Sequence, residues 1–472
     1  MADALPFHVV IVGAGPAGLS AALSLVKKHV EGAASSPLRV TVLEMRTEVQ
    51  RLGGAINLTP LALRYIDWLG AGARLRAQAA PVSAIELVAH RTGRLLGRLW
   101  PGVDAIRVQR QLLVEALRDT LRELPRREDV EVSVVYGARV RGVEEFGKAD
   151  SGIGEGGVRV TFERRRVFVE GGSAGKKKQQ QEEEDAETET LEADIVVGCD
   201  GIHSQVRSLV VDPGREKTYS GKCNAYGYAS IPSDTTTTTT TTAAAAAAAT
   251  PKRESWLRTD GQPLITDTTL VSHGNDALLL TYYEPSRTDL YLAAVSPVAE
   301  NKEDAREGWA AQGADKAGIK RRLGETFAGG ALPYLGSIID RCDEWFFFPV
   351  YMLPPGGAWA KGRALLLGDA AHAMPPQGEG TGVAIEDGVL LAHVLTRRAE
   401  RTIPQLFADY ETLRRADIEQ TYRDTMARWN APVPSGWLSG IVMEWITWGF
   451  IKFLNYRHDY FGRDVRNRQL PA

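Results

Sequence analysis

Four branched apolar residues, Val9, Val10, Ile11 and Val12, run directly into Gly13, Gly15 and Gly18, and Leu19, Ala22, Leu23 and Val26 follow at helical spacing. No other stretch restricts the fold so tightly. An unbroken branched run reads as a strand buried on both faces, as in a parallel sheet. In the G-x-G-x-x-G that follows, Gly13 allows a sharp turn and Gly15 brings bare backbone up to a pyrophosphate. Gly18 lets a helix pack close, its positive N-terminus on the phosphates. The motif has meaning because it sits between a strand and a helix. Residues 40–44 form a second strand that ends in an acid, Glu44, suited to ribose hydroxyls. The chain is therefore expected to bind a dinucleotide through Gly13, Gly15, Gly18 and Glu44 on a Rossmann-like α/β domain. The motif leaves open which dinucleotide.

The remaining composition narrows the class. At 472 residues the chain has room for about two to three domains. Its net charge of -3 offers nothing to a nucleic acid. Cys199, Cys223 and Cys342 contain no C-x-x-C, so neither a disulfide scaffold nor a metal site is expected, and the setting is reducing and cytoplasmic. The apolar N-terminal run belongs to the strand-loop-helix and is not a signal peptide.

Along the chain, Thr59 and Pro60 open a helix that Gly70 closes, Thr92-Gly93 turns a hairpin, and residues 109–121 form an amphipathic helix. Strands are expected at 130–135, 138–143, 158–169, 191–198 and 363–368, and helices at 383–395 and 404–429. The last of these carries Leu406, Tyr410, Leu413 and Met426 on its apolar face. Residues 147–157, 171–190 and 234–250 are low-complexity insertions. These patterns assign 1–75, 101–214 and 353–430 to the dinucleotide-binding domain with its parallel sheet. Residues 76–100 and 215–352 form an interleaved, β-sheet-rich substrate domain, and 431–472 a C-terminal helical segment. Residues 437–454 are apolar and tryptophan-rich, interrupted by Glu444 and Lys452. The segment reads as a helix packed on the protein, with weak contact to a membrane surface as the alternative.

Two further motifs make the reading specific. One is Gly198-Cys199-Asp200-Gly201, following Ile195-Val196-Val197. The other is Gly368-Asp369-Ala370-Ala371-His372, followed by Pro375-Pro376, Gly378, Gly380, Gly382, Val383, Glu386 and Asp387. With the glycine loop and Glu44, these resemble the single-component (group A) FAD-dependent aromatic monooxygenases of the p-hydroxybenzoate and salicylate hydroxylase type, over residues 8 to about 425. The resemblance implies FAD as bound cofactor and NADPH or NADH as a transient one, with O2 and a small aromatic molecule as substrates. It implies that Asp369 meets the ribityl hydroxyls, and that Gly380, Gly382 and Val383 open a helix whose positive end faces the flavin ring. Arg110 lies in a V-Q-R-x-x-L segment close to the family's V-H-R-x-x-L, and is expected to touch the cofactor. Gly54-Ala55 matches its glycine turn, and Asp200 its D-G fingerprint. His372 is expected to be structural.

One segment departs from the pattern. Relatives carry an aromatic-Arg-[AG]-x-[IV]-Pro segment in the substrate domain; here Tyr228 stands where the arginine would be, ahead of Ile231-Pro232. Tyr226 and Tyr228 become the catalytic candidates, to orient or deprotonate a phenol in an apolar pocket, with His273 as a further base. The resemblance implies hydroxylation, or epoxidation, of an apolar aromatic or phenolic molecule in specialised metabolism. The alternative is a flavin-dependent reductase or dehydrogenase of the same fold. Oligomeric state is not legible.

Overall fold

The computed structural model describes residues 5–32, 36–49, 53–125, 127–147, 156–165, 187–231, 256–300, 305–431, 437–456 and 461–471. It is a mixed α/β structure. The strand Phe7–Val12 is buried along its whole length and lies near the centre of a six-stranded sheet. It pairs in parallel with Leu38–Glu44 on one side and Ile195–Gly198 on the other, Val9 lying opposite both Val40 and Ile195. Ala364–Leu366 extends the sheet on one flank and Val130–Tyr136 on the other, both in parallel. Residues so distant in sequence therefore deliver their C-terminal ends, and the loops after them, to one edge. Helix Pro16–Glu31 packs on helix Gly380–Val394 so closely that a Cβ at Gly388 would lie 2.7 Å from the Ala21 nitrogen. The two helices that begin at the glycine-rich loops are thus locked together.

A seven-stranded sheet runs in the order Trp345–Met352, Thr218–Ser230, Asp289–Pro297, Asp276–Tyr282, Thr268–His273, Ile85–Ala89, Leu95–Leu99. The hairpin from the first quarter of the chain joins it through a parallel pairing, Leu87 opposite Leu270. A small antiparallel sheet, with Ala105–Gln109 between Ala55–Leu58 and Ala80–Val82, stands beside it.

Several local expectations are corrected. Glu187–Thr190, assigned to a low-complexity insertion, belongs to the strand Glu187–Ala193, antiparallel to Gly156–Arg164. Its alternating acids have cross-strand partners, Arg159 to Glu192 at 2.7 Å and Arg164 to Glu189 at 3.3 Å, so a polar sequence can stay extended on an exposed sheet. Gly147, Gly156 and Gly157, assigned to another insertion, likewise end strand Ala138–Gly147 and open strand Gly156–Arg164, while insertion residues 148–155, 171–186 and 234–250 lie outside the described residues.

The C-terminal stretch is helical over Trp437–Tyr456. From Phe461 it becomes a tail tied to the first layer. Arg463 reaches Glu386 at 2.8 Å, and the Val465 amide donates to the Tyr65 hydroxyl at 3.0 Å. Among the described residues no helix is long and apolar enough to cross a membrane. Helix Trp437–Tyr456 packs on the 85–99 hairpin through Ile451, against Gly97, and through the Glu444–Arg91 pair at 2.7 Å, leaving Trp445, Ile446, Trp448 and Phe453 exposed.

Candidate active site

The site is built from loops at the C-terminal edge of the parallel sheet. Gly13 turns with φ of 105°, and a Cβ there would lie 2.5 Å from the Cys199 carbonyl oxygen. A Cβ at Gly18 would lie 1.9 Å from the Gly13 oxygen. Both positions are closed to side chains by the protein itself. Gly15 is different: nothing but the Arg110 Nη2, at 3.8 Å, approaches the place of its Cβ, so its open face is turned to a groove.

Glu44 ends the neighbouring strand, its Oε2 accepting from the Ala14 amide and its Oε1 from the Arg46 amide, each at 2.9 Å. The carboxylate holds the glycine loop in place and keeps lone pairs for further donors. Ala14, Gly15, Glu44, Arg46, Arg110 and Gln111 line a cavity of about 60 Å³.

Arg110 opens helix Arg110–Arg122 and lies in the same groove. Burial pushes its pKa down and Arg46 adds to this, while Asp369, Glu44 and Tyr226 pull it back up. One guanidinium therefore feels the groups from one end of the groove to the other.

Asp369 follows Gly368, whose φ of 60° turns the chain out of the strand. Its carboxyl reaches solvent in a slot otherwise walled by protein. The walls push its pKa up; His372 and Arg110 oppose them. Asp200 accepts the Gln205 amide at 2.6 Å through Oδ2, while its Oδ1 is buried with no partner among the described residues.

Helix Gly380–Val394 starts before Val383, with Glu379 as N-cap. This corrects the role expected of Val383. Its amide donates to the Glu379 carbonyl at 3.1 Å, so the free amides at the positive end belong to Gly380, Thr381 and Gly382.

Glu386 and Asp387, next along this helix, are fully buried and meet Arg414, itself wholly inside the protein. Arg414 donates to Asp387 at 2.7 Å and to the Val383 carbonyl at 2.9 Å. His372 also bonds Asp387, at 2.7 Å, and the Gly368 amide donates to the same carboxylate at 2.8 Å. His372 thus ties the Asp369 loop to the helix. Burial alone would raise the Asp387 pKa; His372, Arg414 and the Gly368 amide outweigh it and hold it at about 2. Its folded pKa lies below that of the unfolded chain. The stabilisation is therefore complete above the unfolded carboxylate value of about 4 and is lost as pH falls through about 2. Acid titration of the urea midpoint should show a loss on the order of 2 kcal/mol in this window that is absent from Asp387→Asn. Equal acid slopes in the two proteins would refute the assignment.

The tyrosine candidates project from strand Thr218–Ser230 toward this edge. Tyr228 donates its hydroxyl to the Gly53 carbonyl at 2.8 Å, and Tyr291, its cross-strand partner, occupies the space in which a Cβ at Gly54 would lie 2.3 Å from its oxygen. The Arg110 amide donates to the Gly54 carbonyl at 3.1 Å. Gly53, Gly54 and Ala55 therefore form the seam between cofactor groove and tyrosine layer. Tyr226 lies 5.1 Å from Phe346 and 5.7 Å from Tyr291. The apolar lining expected of a substrate pocket is a packed aromatic layer.

Neither tyrosine is arranged as a base. Burial raises both pKa values; at Tyr228 the neighbouring tyrosines add to it, and at Tyr226 only Arg110 opposes it. His273 lies instead against His90, with 3.0 Å between Nδ1 atoms, and near Phe327, outside the tyrosine cluster. Sequence reasoning missed Arg414 and Tyr291. Arg414 could have been found: it lies one helical turn after the buried Tyr410.

The groove suits an extended dinucleotide ending in a flavin. Glu44, Arg110 and Asp369 follow one another along it, and Gly15 is kept free of side chain. Unbonded helix amides stand at its far end.

A family model described as FAD binding domain matches residues 7–238 and 357–425. The chain belongs to this family of FAD-dependent monooxygenases. It is similar to the FAD-dependent monooxygenase ntnJ of Nectria sp, 25% identical over 420 residues that cover 88% of this chain and 82% of the relative. The 6-hydroxynicotinate 3-monooxygenase of Pseudomonas fluorescens is 26% identical over 421 residues, covering 86% and 87%. Among solved structures, Klebsiella pneumoniae HpxO complexed with FAD and uric acid superposes with a TM-score of 0.67 at 21% identity, over 96% of both chains. That likeness is one of fold. The monooxygenase family's cofactor is FAD, and Glu44, Arg110, Asp369 and the Gly380 helix start are the groups here that fit it.

Proposed function

We propose that this FAD monooxygenase uses NADPH or NADH and O2 to place one oxygen atom on an apolar aromatic or phenolic small molecule, by hydroxylation or epoxidation, in specialised metabolism. The other oxygen leaves as water, and NAD(P)H supplies the two electrons. Bound FAD would supply the reduction of O2 and the transfer of oxygen. The chain's own residues do the rest. Gly13, Gly15 and Gly18 shape the phosphate turn, and Glu44, Arg110, Asp200 and Asp369 take the polar length of the cofactor. The unbonded amides of Gly380 and Gly382 present positive charge to an electron-rich ring. Tyr226 and Tyr228 orient the substrate and exclude water.

The observation that carries this reading is the seam at Gly53–Ala55, which puts the groove holding Arg110 directly against the tyrosine layer. Relatives named for 6-hydroxynicotinate and 3-amino-4-hydroxybenzoate support a small oxygenated ring as the substrate class. On this reading residues 1–75, 101–214 and 353–430 hold the cofactor and residues 76–100 and 215–352 cover the substrate. The three cysteines, all free and buried, suit a reducing compartment.

A panel of phenols and aromatic acids should include compounds that stimulate NADPH oxidation with O2 uptake and gain one oxygen atom by mass. Substrate-stimulated NADPH oxidation without O2 uptake would make the protein a reductase instead.

A further inference from the structure

Arg107 stands out among the buried arginines. Arg207, Arg258, Arg363 and Arg414 are each buried and each bonded to carboxylates or carbonyls. Arg107 is only 5% exposed, its Nε is buried with no partner, and no acceptor among the described residues meets its guanidinium. Burial lowers its pKa to about 10, with the Tyr291 hydroxyl opposing the shift, so it stays charged at neutral pH. An unpaired buried cation is costly.

Its surroundings show what would complete it. On the paired strand Asn57 lies directly opposite Arg107, so the two side chains share a face. The Asn57 Oδ1 is also buried without a partner among the described residues; as an acceptor it would take a donor, a ring hydroxyl beside the anion. Tyr291 adds a phenol that already senses the Arg107 charge. A Cβ at Gly378, in the loop after Asp369, would touch Asn57 at 4.0 Å, so this face adjoins the ring end of the groove. Guanidinium and phenol both have spare donors for one group of opposite charge.

We infer that Arg107, with Asn57 and Tyr291, is a specificity site for an oxyanion carried on the aromatic ring of the substrate, a carboxylate or a phenolate. The inference rests on the monooxygenase reading only for the word substrate. The cation comes from strand Ala105–Gln109, not from the segment around Tyr228 where relatives carry theirs.

The test is titration of the FAD-loaded protein with benzoate against benzamide, and with 4-nitrophenolate against nitrobenzene, followed by shifts in the flavin absorption bands. The wild type should bind at least one anion about ten- to a hundred-fold more tightly than its neutral counterpart. Whichever pair shows the preference tells carboxylate from phenolate. Arg107→Met should abolish that preference with FAD content unchanged, and Arg107→Lys should restore part of it. Because Met removes an unpaired buried charge, Arg107→Met should also melt higher than wild type when no anion is present. No preference in the wild type, a preference that survives Arg107→Met, or a variant that melts lower and loses FAD would each overturn the site. None of these readouts uses turnover. A protein that passes them yet never consumes O2 would refute the monooxygenase reading and leave the anion site standing.

Discussion

Arg414→Met should cost about 3–5 kcal/mol of stability, because it strands the Glu386 and Asp387 carboxylates inside the protein. Arg414 is wholly buried, and the carboxylates it serves are buried with it. Arg463 would still reach Glu386 at 2.8 Å, but Asp387 would keep only His372 and the Gly368 amide. The damage should reach the cofactor as well. Asp387 holds both Gly368, which turns the chain toward Asp369, and the helix whose free amides close the groove. Urea unfolding gives the energy, and flavin absorbance per protein gives the cofactor content. Arg414→Lys should recover little, since one ammonium cannot span Asp387, Glu386 and the Val383 carbonyl together. A loss below about 1 kcal/mol would mean that the network is dispensable.

The second large effect separates two glycines of one loop. Gly18→Ala puts a methyl 1.9 Å from the Gly13 oxygen and 3.2 Å from Ile11, so the protein itself must distort. Its apoprotein should lose stability and its FAD together. Gly15→Ala meets only the movable end of Arg110, at 3.8 Å. Its apoprotein should melt like the wild type, while FAD affinity falls by about tenfold or more, because the methyl stands where a pyrophosphate approaches. Differential scanning of the apoproteins and FAD titration would show the contrast. An alanine at Gly15 that leaves FAD affinity intact would mean that the phosphates pass elsewhere.

Contiguous motifs were readable and isolated residues were not. The glycine loop announces itself because strand, turn and helix each leave a pattern over several neighbouring residues. Asp369 was legible for the same reason. Arg414 and Arg107 leave none. Each is one charged residue in an otherwise ordinary helix or strand, and its meaning depends on partners in another element, 27 to 31 positions away for Arg414, or, for Arg107, on their absence. The helix expected from Val383 starts at Gly380: glycine counts against a helix locally, and packing against helix Pro16–Glu31 outweighs that propensity. The strand at Glu187–Ala193 was hidden by a composition that looks disordered until its acids find arginines across the sheet.

The order of the parallel sheet has a consequence for synthesis. Strand Phe7–Val12 leaves the ribosome well before its partners, for one of its two neighbours is Ile195–Gly198 and the strand beyond that is Ala364–Leu366. At roughly 5–20 residues per second, about ten to forty seconds pass before the first of these exists. Throughout that interval a fully buried, largely apolar strand has one unsatisfied edge. Helix Pro16–Glu31 can cover its face but not that edge, so the segment that carries the glycine loop is the one most in need of chaperone cover during synthesis.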